Sequence, residues 1–365
     1  MVTMKDVAEA VGASQAAVSY AYNHPSKLSD ERREQILAKA NELGYPGPTS
    51  SQRRSGSAQV GALGLMVMDT LSYAFDDASN VLLIKGLVEV GELAQVALTL
   101  LPLDYAGHKL GDQEQLTSWI SLIDGLVIHS LPENDPVIES LVERLPVVIV
   151  DSPQIPGVPF VGIRDRSAAG LAMEHLLTLG HTRIGILVDR LVPDGTRGIV
   201  PLKRLRAAVD RVARERVFGY LDSIEAIGLD TETVPIIEAG GFSYGSAMQA
   251  AERLLGDHDL TAIIAVSDAL AYAVLDICAD QRIDVPEEFS VVGFDDGPNA
   301  AQRGLTTVRN PMVDKGRHAA RMLLQRVNGG NRQQIILPTE LVVRTTTAPP
   351  FSGRRPHALV GATRQ

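Results

Sequence analysis

From residue 59 onward, short apolar runs alternate with stretches of helical period, and this alternation limits the fold more than any other feature of the chain. VGALGLMVM, VALTLL, GLVI, VVIV, RIGILV, TAIIAV and FSVVGF are short and apolar at consecutive positions. That is the pattern of strands buried on both faces. KGLVEVGELA, SAAGLAMEHLLTLG, RVFGYLDSIEAIG, GSAMQAAERLLG and DALAYAVLDICADQ carry helical spacing between them. Strand–helix alternation builds doubly wound parallel sheets, an α/β architecture. A chain of 365 residues exceeds what one core serves, so two such sheets are expected, with a break near residue 162. GLTTVRNPMVDKGRHAARMLLQRV follows the last strands of the second sheet and is expected to cross back. The expected division is lobe 1 at about 59–162 plus 300–328, and lobe 2 at about 163–297 plus 331–347.

In open α/β sheets, ligands bind beyond the carboxyl ends of the strands. Reading the residue after each strand gives Asp69, His129 and Ser130, Asp151, Ser267 and Asp268, and Asp295 and Asp296. Two lobes meeting at that rim form a cleft rich in carboxylates, which accept paired hydrogen bonds from adjacent hydroxyls, so a sugar-like or other polyhydroxyl ligand suits it. The competing reading for each residue is local, because Asp or Ser after a strand often caps the next helix. Asp268, just ahead of ALAYAVL, is the foremost candidate for a pure cap.

The first 45 residues have a different grammar. Met4, Val7, Ala8 and Val11 share a helical face, and Gly12-Ala13 breaks the helix. Ser14 can cap SQAAVSYAYN, in which Val18 and Ala21 face inward, and His24-Pro25 stops it. Ser29 can cap a third helix with Asp30 and Glu31 in its first turn; Ile36, Leu37, Ala40 and Leu43 form its stripe and Gly44 ends it. Three short helices with a tight first turn fit a helix-turn-helix, whose second helix enters the major groove by its N-terminal end. Gln15, Ala16, Ser19 and Tyr20 then face DNA: Gln can grip adenine and Ala can touch a thymine methyl. Thr3, Ser14, Ser19 and Asn23 are short polar groups suited to phosphate oxygens. A small helical domain that binds protein instead is the alternative.

Here a resemblance enters. The head, with its DVA-x4-AS-x3-VS-x3-N and R-x9-LGY spacings, is similar to that of the lactose/galactose repressor family. GHTRIGIL, Arg216 to Tyr220, AVSDALAYAVL and VVGFDD also resemble that family's signatures. The resemblance implies a helix-turn-helix domain over 1–45, a hinge or linker over 46–58, and a two-lobed, type I periplasmic-binding-protein-like domain for effector binding and dimerisation over 59–347. It places Arg216, Ser267 and Asp295 in the effector cleft, facing Asp69, Phe75 and Asp151; Ser130 joins them from the strand-end reading. It implies a homodimer, a double-stranded DNA operator and a small-molecule effector.

The chain departs from the family in places. Ala17 and Tyr20 stand where Thr and Arg are common, so an operator preference does not carry over, and Tyr20 suits a phosphate or a base methyl. Arg54, beside Arg53, stands about where a hinge leucine wedges into the minor groove. Those arginines either enter a narrow minor groove or sit solvated on a flexible tether. Ser267 stands where asparagine is common. Residues 189–215 look like an insertion with seven Lys/Arg: either a solvated helix and loop, or a lid feeding an acidic ligand to Arg216.

Composition sets the outer limits. Net charge is −10, but residues 1–57 balance to +1, so the acidity belongs to the body and discourages non-specific DNA contact there. The single cysteine, Cys278, forms no internal disulfide, and no cofactor motif or clustered Cys/His occurs. No run of about 18 apolar residues suggests a membrane span, and the N-terminus is unlike a secretory signal, so a cytoplasmic protein is expected. The tail 348–365 lacks a period and is expected to be disordered. Two rivals remain. One is a solute-binding protein without DNA function. The other is a serine hydrolase: Gly241-Phe242-Ser243-Tyr244-Gly245 matches a nucleophile elbow, with Asp295 and His318 following it. Its competing reading is that Ser243 caps a helix, and no enzyme is expected.

Overall fold

The structure, a computed structural model, describes residues 2–23, 27–43, 45, 61–68, 70–90, 95–103, 113–327 and 333–351. The expected linker at 46–58 and the tail from 352 lie outside the described residues.

The head consists of α1 (Met4–Ala10), α2 (Gln15–Asn23) and α3 (Asp30–Glu42). Thr3 caps α1 through a capping box with Asp6, and Ser14 and Ser29 accept from Ala17 N and Arg32 N to cap α2 and α3. Val7, Val18, Ala21, Ile36 and Ala40 are fully buried and meet in one small core. Each large aliphatic there contributes about 1.5–3 kcal/mol. Gly12 turns the chain between α1 and α2 with φ +58°, a left-handed conformation that glycine adopts without strain.

The body runs β1 (Ala62–Met68), α4 (Leu71–Asp76), α5 (Ala78–Val88), β2 (Ala97–Leu103), α6 (Gln113–Leu122), β3 (Gly125–His129), α7 (Pro136–Arg144), β4 (Val147–Val150) and β5 (Phe160–Gly162) in lobe 1. Lobe 2 follows with α8 (Asp165–Thr178), β6 (Ile184–Val188), β7 (Gly198–Ile199), α9 (Leu202–Arg206), α10 (Arg211–Ala226), β8 (Ile236–Glu238), α11 (Tyr244–Asp257), β9 (Ala262–Ala265), α12 (Asp268–Asp280), β10 (Ser290–Asp295) and β11 (Thr306–Arg309). The chain then returns to lobe 1 for α13 (Met312–Val327) and β12 (Gln334–Ile336), and ends in lobe 2 with β13 (Glu340–Val342).

The first sheet has the order β12-β5-β4-β3-β1-β2 with parallel pairs. The second has the order β13-β11-β10-β9-β6-β8-β7, parallel at its centre and antiparallel at both edges. Alternate residues of β1 feed opposite faces of the first sheet: Leu65 packs with Leu83 and Leu323, Met66 with Ile128 and Phe160. α5 and α13 pack closely because Gly86 and Gly316 face each other's backbone; a Cβ on either would collide with Val313 O or Leu83 O.

Several expectations need correction. The return to lobe 1 comes after β11, not at residue 300, and residues 334–336 extend the sheet of lobe 1 rather than lobe 2. β11 was hidden by its threonines: Thr306 and Thr307 are fully buried, which their hydroxyl partners Arg344 N and Asp268 permit. The helix expected to begin at Lys85 starts at Ala78, capped by Asp77, and its last helical residue is Val88. Of the tail expected to be disordered, Ala348 is held by His181 and Ser290, so the ordered chain runs past 347.

Candidate functional site

In the head, Arg32 donates to Val11 O and Gly12 O at 3.0 and 3.1 Å, tying α3 to the turn before α2. Arg33 Nε donates to Ala21 O at 3.2 Å near the end of α2. These bonds set the angle at which α2 stands out from the head. At its start Ser14, Gln15 and Ala16 are exposed, and Ser19 and Tyr20 are half-buried on the next turn. Lys27 Nζ lies 4.7 Å from the centre of the Tyr20 ring, so that face carries a positive charge. Thr3 is exposed but its hydroxyl is engaged with Asp6. Asn23 ends α2, and its side chain lies outside the described residues, as do Arg53 and Arg54.

In the body, a cavity of about 810 Å3 lies between the lobes at the carboxyl ends of β3, β4, β6, β9 and β10. Of the expected effector residues, Ser130, Asp151, Arg216, Ser267 and Asp295 come together in its wall. Ser130, Asp151 and Asp295 all have positive φ (53°, 65° and 126°). Backbone strain of roughly 1–3 kcal/mol per such residue is characteristic of sites where the chain is aimed at a ligand. Asp69 lies outside the described residues. Phe75 is not part of the wall: Ser72, Asp76 and Asp77 take that stretch, and the Phe75 ring stays 59% exposed.

The two walls are wired differently. On lobe 1, Asp151 Oδ1 accepts from Lys315 Nζ at 2.5 Å, and His129 Nε2 lies 3.6 Å from Oδ2 while its Nδ1 meets Asn80. Burial alone would raise the Asp151 carboxyl, but Lys315 and His129 outweigh it and hold Asp151 well below the usual range. On lobe 2, one guanidinium serves two carboxyls: Arg216 reaches Asp165 at 3.0 Å, Asp295 at 3.3 Å and Val266 O at 2.6 Å, and it stacks 3.6 Å from the Phe294 ring centre. Burial keeps Asp165 and Asp295 raised in spite of Arg216. Burial also pushes Asp189 and Asp268 up to about 7, with Asp295 adding to both.

Asp268 is not the cap of α12. Ser267 is, accepting from Leu270 N, and Asp268 is the first helical residue, accepting from Thr307 Oγ1 at 2.5 Å and Gly297 N at 2.8 Å. The segment 189–215 is a loop and short helix with residues 194–197, Lys203 and Arg206 exposed, as the first reading expected, but it is anchored to the lobe. Leu191, Val200 and Leu205 are buried, β7 extends the sheet, and Arg204 is bonded to Asp194 and Glu238. Its end straps the lobes together: Glu133 N donates to Val209 O at 2.8 Å, and the Glu133 carboxylate meets Arg214 at 2.8 Å and Arg211 at 3.4 Å. Arg216 is paired with Asp165 and Asp295 of its own lobe. Ser243 caps α11, accepting from Ser246 N, and Asp295 is engaged with Arg216 and Asn310; among the described residues no histidine is hydrogen-bonded to either.

Asp189, Lys315, Tyr272 and Asn310 escaped the sequence reading. Asp189 follows RIGILV and was within reach of the same strand-end rule. Lys315, Tyr272 and Asn310 belong to helices or a crossover whose placement no local pattern reveals. Among the described residues no group of three or more His, Cys, Asp or Glu is placed to hold a metal ion, and no helix is long and apolar enough to cross a membrane.

A helix-turn-helix head on a two-lobed, periplasmic-binding-protein-like body defines a class of ligand-responsive regulators. Residues 3–46 match the model for bacterial regulatory proteins of the lacI family, and residues 173–347 that for a periplasmic binding protein-like domain. The HTH-type transcriptional regulator IpsA of Corynebacterium glutamicum is 36% identical over 89% of this chain and 91% of its own. The HTH-type transcriptional regulator Rv3575c of Mycobacterium tuberculosis is 34% identical over 95% and 97%. The crystal structure of a LacI family regulator from Corynebacterium glutamicum superposes with a TM-score of 0.75 at 33% identity, covering 94% of this chain and 98% of that one. A CelR–cellobiose complex follows at TM-score 0.66 and 26% identity, covering 95% and 100%. The chain belongs to the lacI family of bacterial transcriptional regulators, a family of DNA-binding proteins and not of enzymes.

Proposed function

We propose that this regulator acts in the cytoplasm as a homodimer that reads a pseudo-palindromic operator, and that a small polar effector in the interlobe cavity switches its grip on DNA. One head contacts one half-site, so two heads on a symmetric body read half-sites about one helical turn apart. Gln15, Ala16, Ser19 and Tyr20 face base edges, Thr3, Ser14 and Asn23 serve the backbone, and Arg53 and Arg54 follow into the minor groove. The exposed start of α2, held out by the Arg32 bonds, supports the first half of this reading. The carrying observation is the cavity itself: Ser130, Asp151, Arg216, Ser267 and Asp295 converge in it from both lobes, so a bound ligand changes the angle between lobes. Relief of repression is the expected sign, and only a ligand that binds one lobe arrangement better can produce it. The cellobiose complex of the related CelR supports a sugar-like effector.

Selection of bound sequences from a random duplex pool, at a stated salt concentration, tests the reading. A recovered pseudo-palindrome supports it; no enriched sequence overturns the DNA half and leaves a solute-binding body. With the site in hand, Gln15→Ala is expected to weaken specific binding by about 1–3 kcal/mol and relax preference at one position per half-site.

A further inference from the structure

Charged groups are unevenly supplied around the interlobe cavity. Seven aspartates and four arginines line it. Each arginine is already paired with a protein carboxylate: Arg190 with Asp210, Arg211 with Glu133, Arg216 with Asp165 and Asp295, and Arg303 with Asp276. Lys315, behind Asp151, is fully buried and paired with it. A ligand anion therefore meets no uncommitted cation among the described residues, and it meets an excess of carboxyls.

Asp189 differs from five of the other wall aspartates, and the sixth, Asp76, is exposed. Asp268 and Asp77 accept backbone N–H groups, and Asp151, Asp210 and Asp295 have cations. The Asp189 carboxyl accepts only the Ser267 hydroxyl, at 3.4 Å, among the described contacts. Two further polar atoms in the same wall are buried without a partner among the described residues: Tyr272 OH and Asn310 Oδ1. Asn310 is 6% exposed, and its Nδ2 donates to Asp295 at 3.1 Å, which fixes the amide with Oδ1 left as an acceptor. Buried polar groups of this kind need partners. Two acceptors and a phenol together call for hydroxyl donors.

A ligand ammonium could also donate to Asp189, but two of the wall's aromatic faces are already covered by arginines. Arg190 covers Phe242 and Arg303 covers Tyr272, with guanidinium carbons 4.9 and 5.0 Å from the ring centres. On the reading that this cavity is the effector site, we propose that Asp189 is a specificity-determining acceptor for neighbouring hydroxyls of an uncharged polyhydroxyl ligand, and that the wall rejects anionic counterparts of that ligand. Burial, with Asp295 and Asp77 nearby and Ser267 and Arg216 opposing, leaves the Asp189 carboxyl at about 7. Hydroxyls donating to it favour its ionised form, whereas a phosphate or carboxylate brings acceptors and like charge to an acceptor.

The test uses the full-length protein without DNA, so its result stands apart from the duplex selection. Calorimetric titration compares glucose, ribose and cellobiose with glucose 6-phosphate, ribose 5-phosphate, glucuronate and glucosamine. At least one neutral compound is expected to bind, with its charged counterparts at least tenfold weaker. Asp189→Asn, folded by its melting transition, is expected to lose at least tenfold in affinity for that neutral compound and to narrow its preference over the anions. A charged counterpart that binds as tightly as its parent, silence of every neutral compound, or undiminished binding by a folded D189N overturns the proposal. If D189N does not fold, the wild-type comparison of neutral and charged compounds decides.

Discussion

The two walls of the cleft use the same kinds of parts in different proportions. Lobe 1 gives one buried lysine to one carboxylate, and Asp151 is held ionised far into acid. Lobe 2 gives one arginine to Asp165 and Asp295 and places Asp189 and Asp268 close by, and all four carboxyls are pushed upward. Proportion is part of the outcome: Asp151, with Lys315 and His129 beside it, is lowered, whereas the four carboxyls around one arginine are raised, and burial raises Asp210 even though Arg190 is paired with it. Asp151 is therefore a fixed charge in lobe 1, whereas the raised carboxyls of lobe 2, and Asp77 of lobe 1 with them, can change charge with a proton or a ligand. The strap at Glu133 is where the two are tied directly.

The largest effect that separates the walls should come from Lys315→Met. Lys315 is 0% exposed, so its loss strands Asp151 and should cost about 3–5 kcal/mol by denaturant unfolding. Adding Asp151→Asn should recover much of that cost, since a neutral amide no longer needs the cation; a single variant as stable as wild type breaks the contrast.

A second, smaller effect is pH dependence. Asp189 and Asp268 are raised from 3.8 to about 7, so the stability they contribute is fully present below pH 3.8 and is lost as pH rises through about 7. Asp151 is lowered, so its contribution is present above pH 3.8 and is lost only in stronger acid. Calorimetric melting should therefore show the protein losing stability between about pH 4 and 7, with a shallower loss in Asp189→Asn. Equal slopes for the two proteins would remove Asp189 from the account.

The smallest stability effect concerns the strap. Glu133 and Arg214 are each about a fifth exposed, and Glu133→Gln should cost about 1 kcal/mol or less. Its larger signature should be a several-fold change in apparent ligand affinity, because binding also depends on how often the lobes adopt the competent arrangement. An unchanged affinity would show that the strap does not bias the lobes.

The head was almost wholly legible because its signals are local: caps at Ser14 and Ser29 and a stripe from Ile36 through Ala40 to Leu43 lie within a few residues of what they control. The central strands of the body were legible for the same reason. Where the reading failed, the deciding partner was distant. β11 is buried through threonine hydroxyls that find Asp268 and Arg344 in other segments. β5, β12 and β13 are three-residue strands with too short a run to show a period. In the cleft, strand ends pointed to Asp151, Ser267 and Asp295, but the ionisation of the two aspartates depends on Lys315 and Arg216, which arrive from α13 and α10. Phe75 was carried over from a resemblance, and the turn from Ser72 to Asp76 leaves it in solvent.

The coupling between cleft and head is the central claim, and it is tested most directly by the affinity of the protein for its selected duplex, measured with and without a saturating amount of the neutral compound that binds best. A change of tenfold or more in Kd, expected as a weakening, is the result predicted for a ligand-switched DNA reader. A Kd that stays constant while the compound fills the cleft would contradict it.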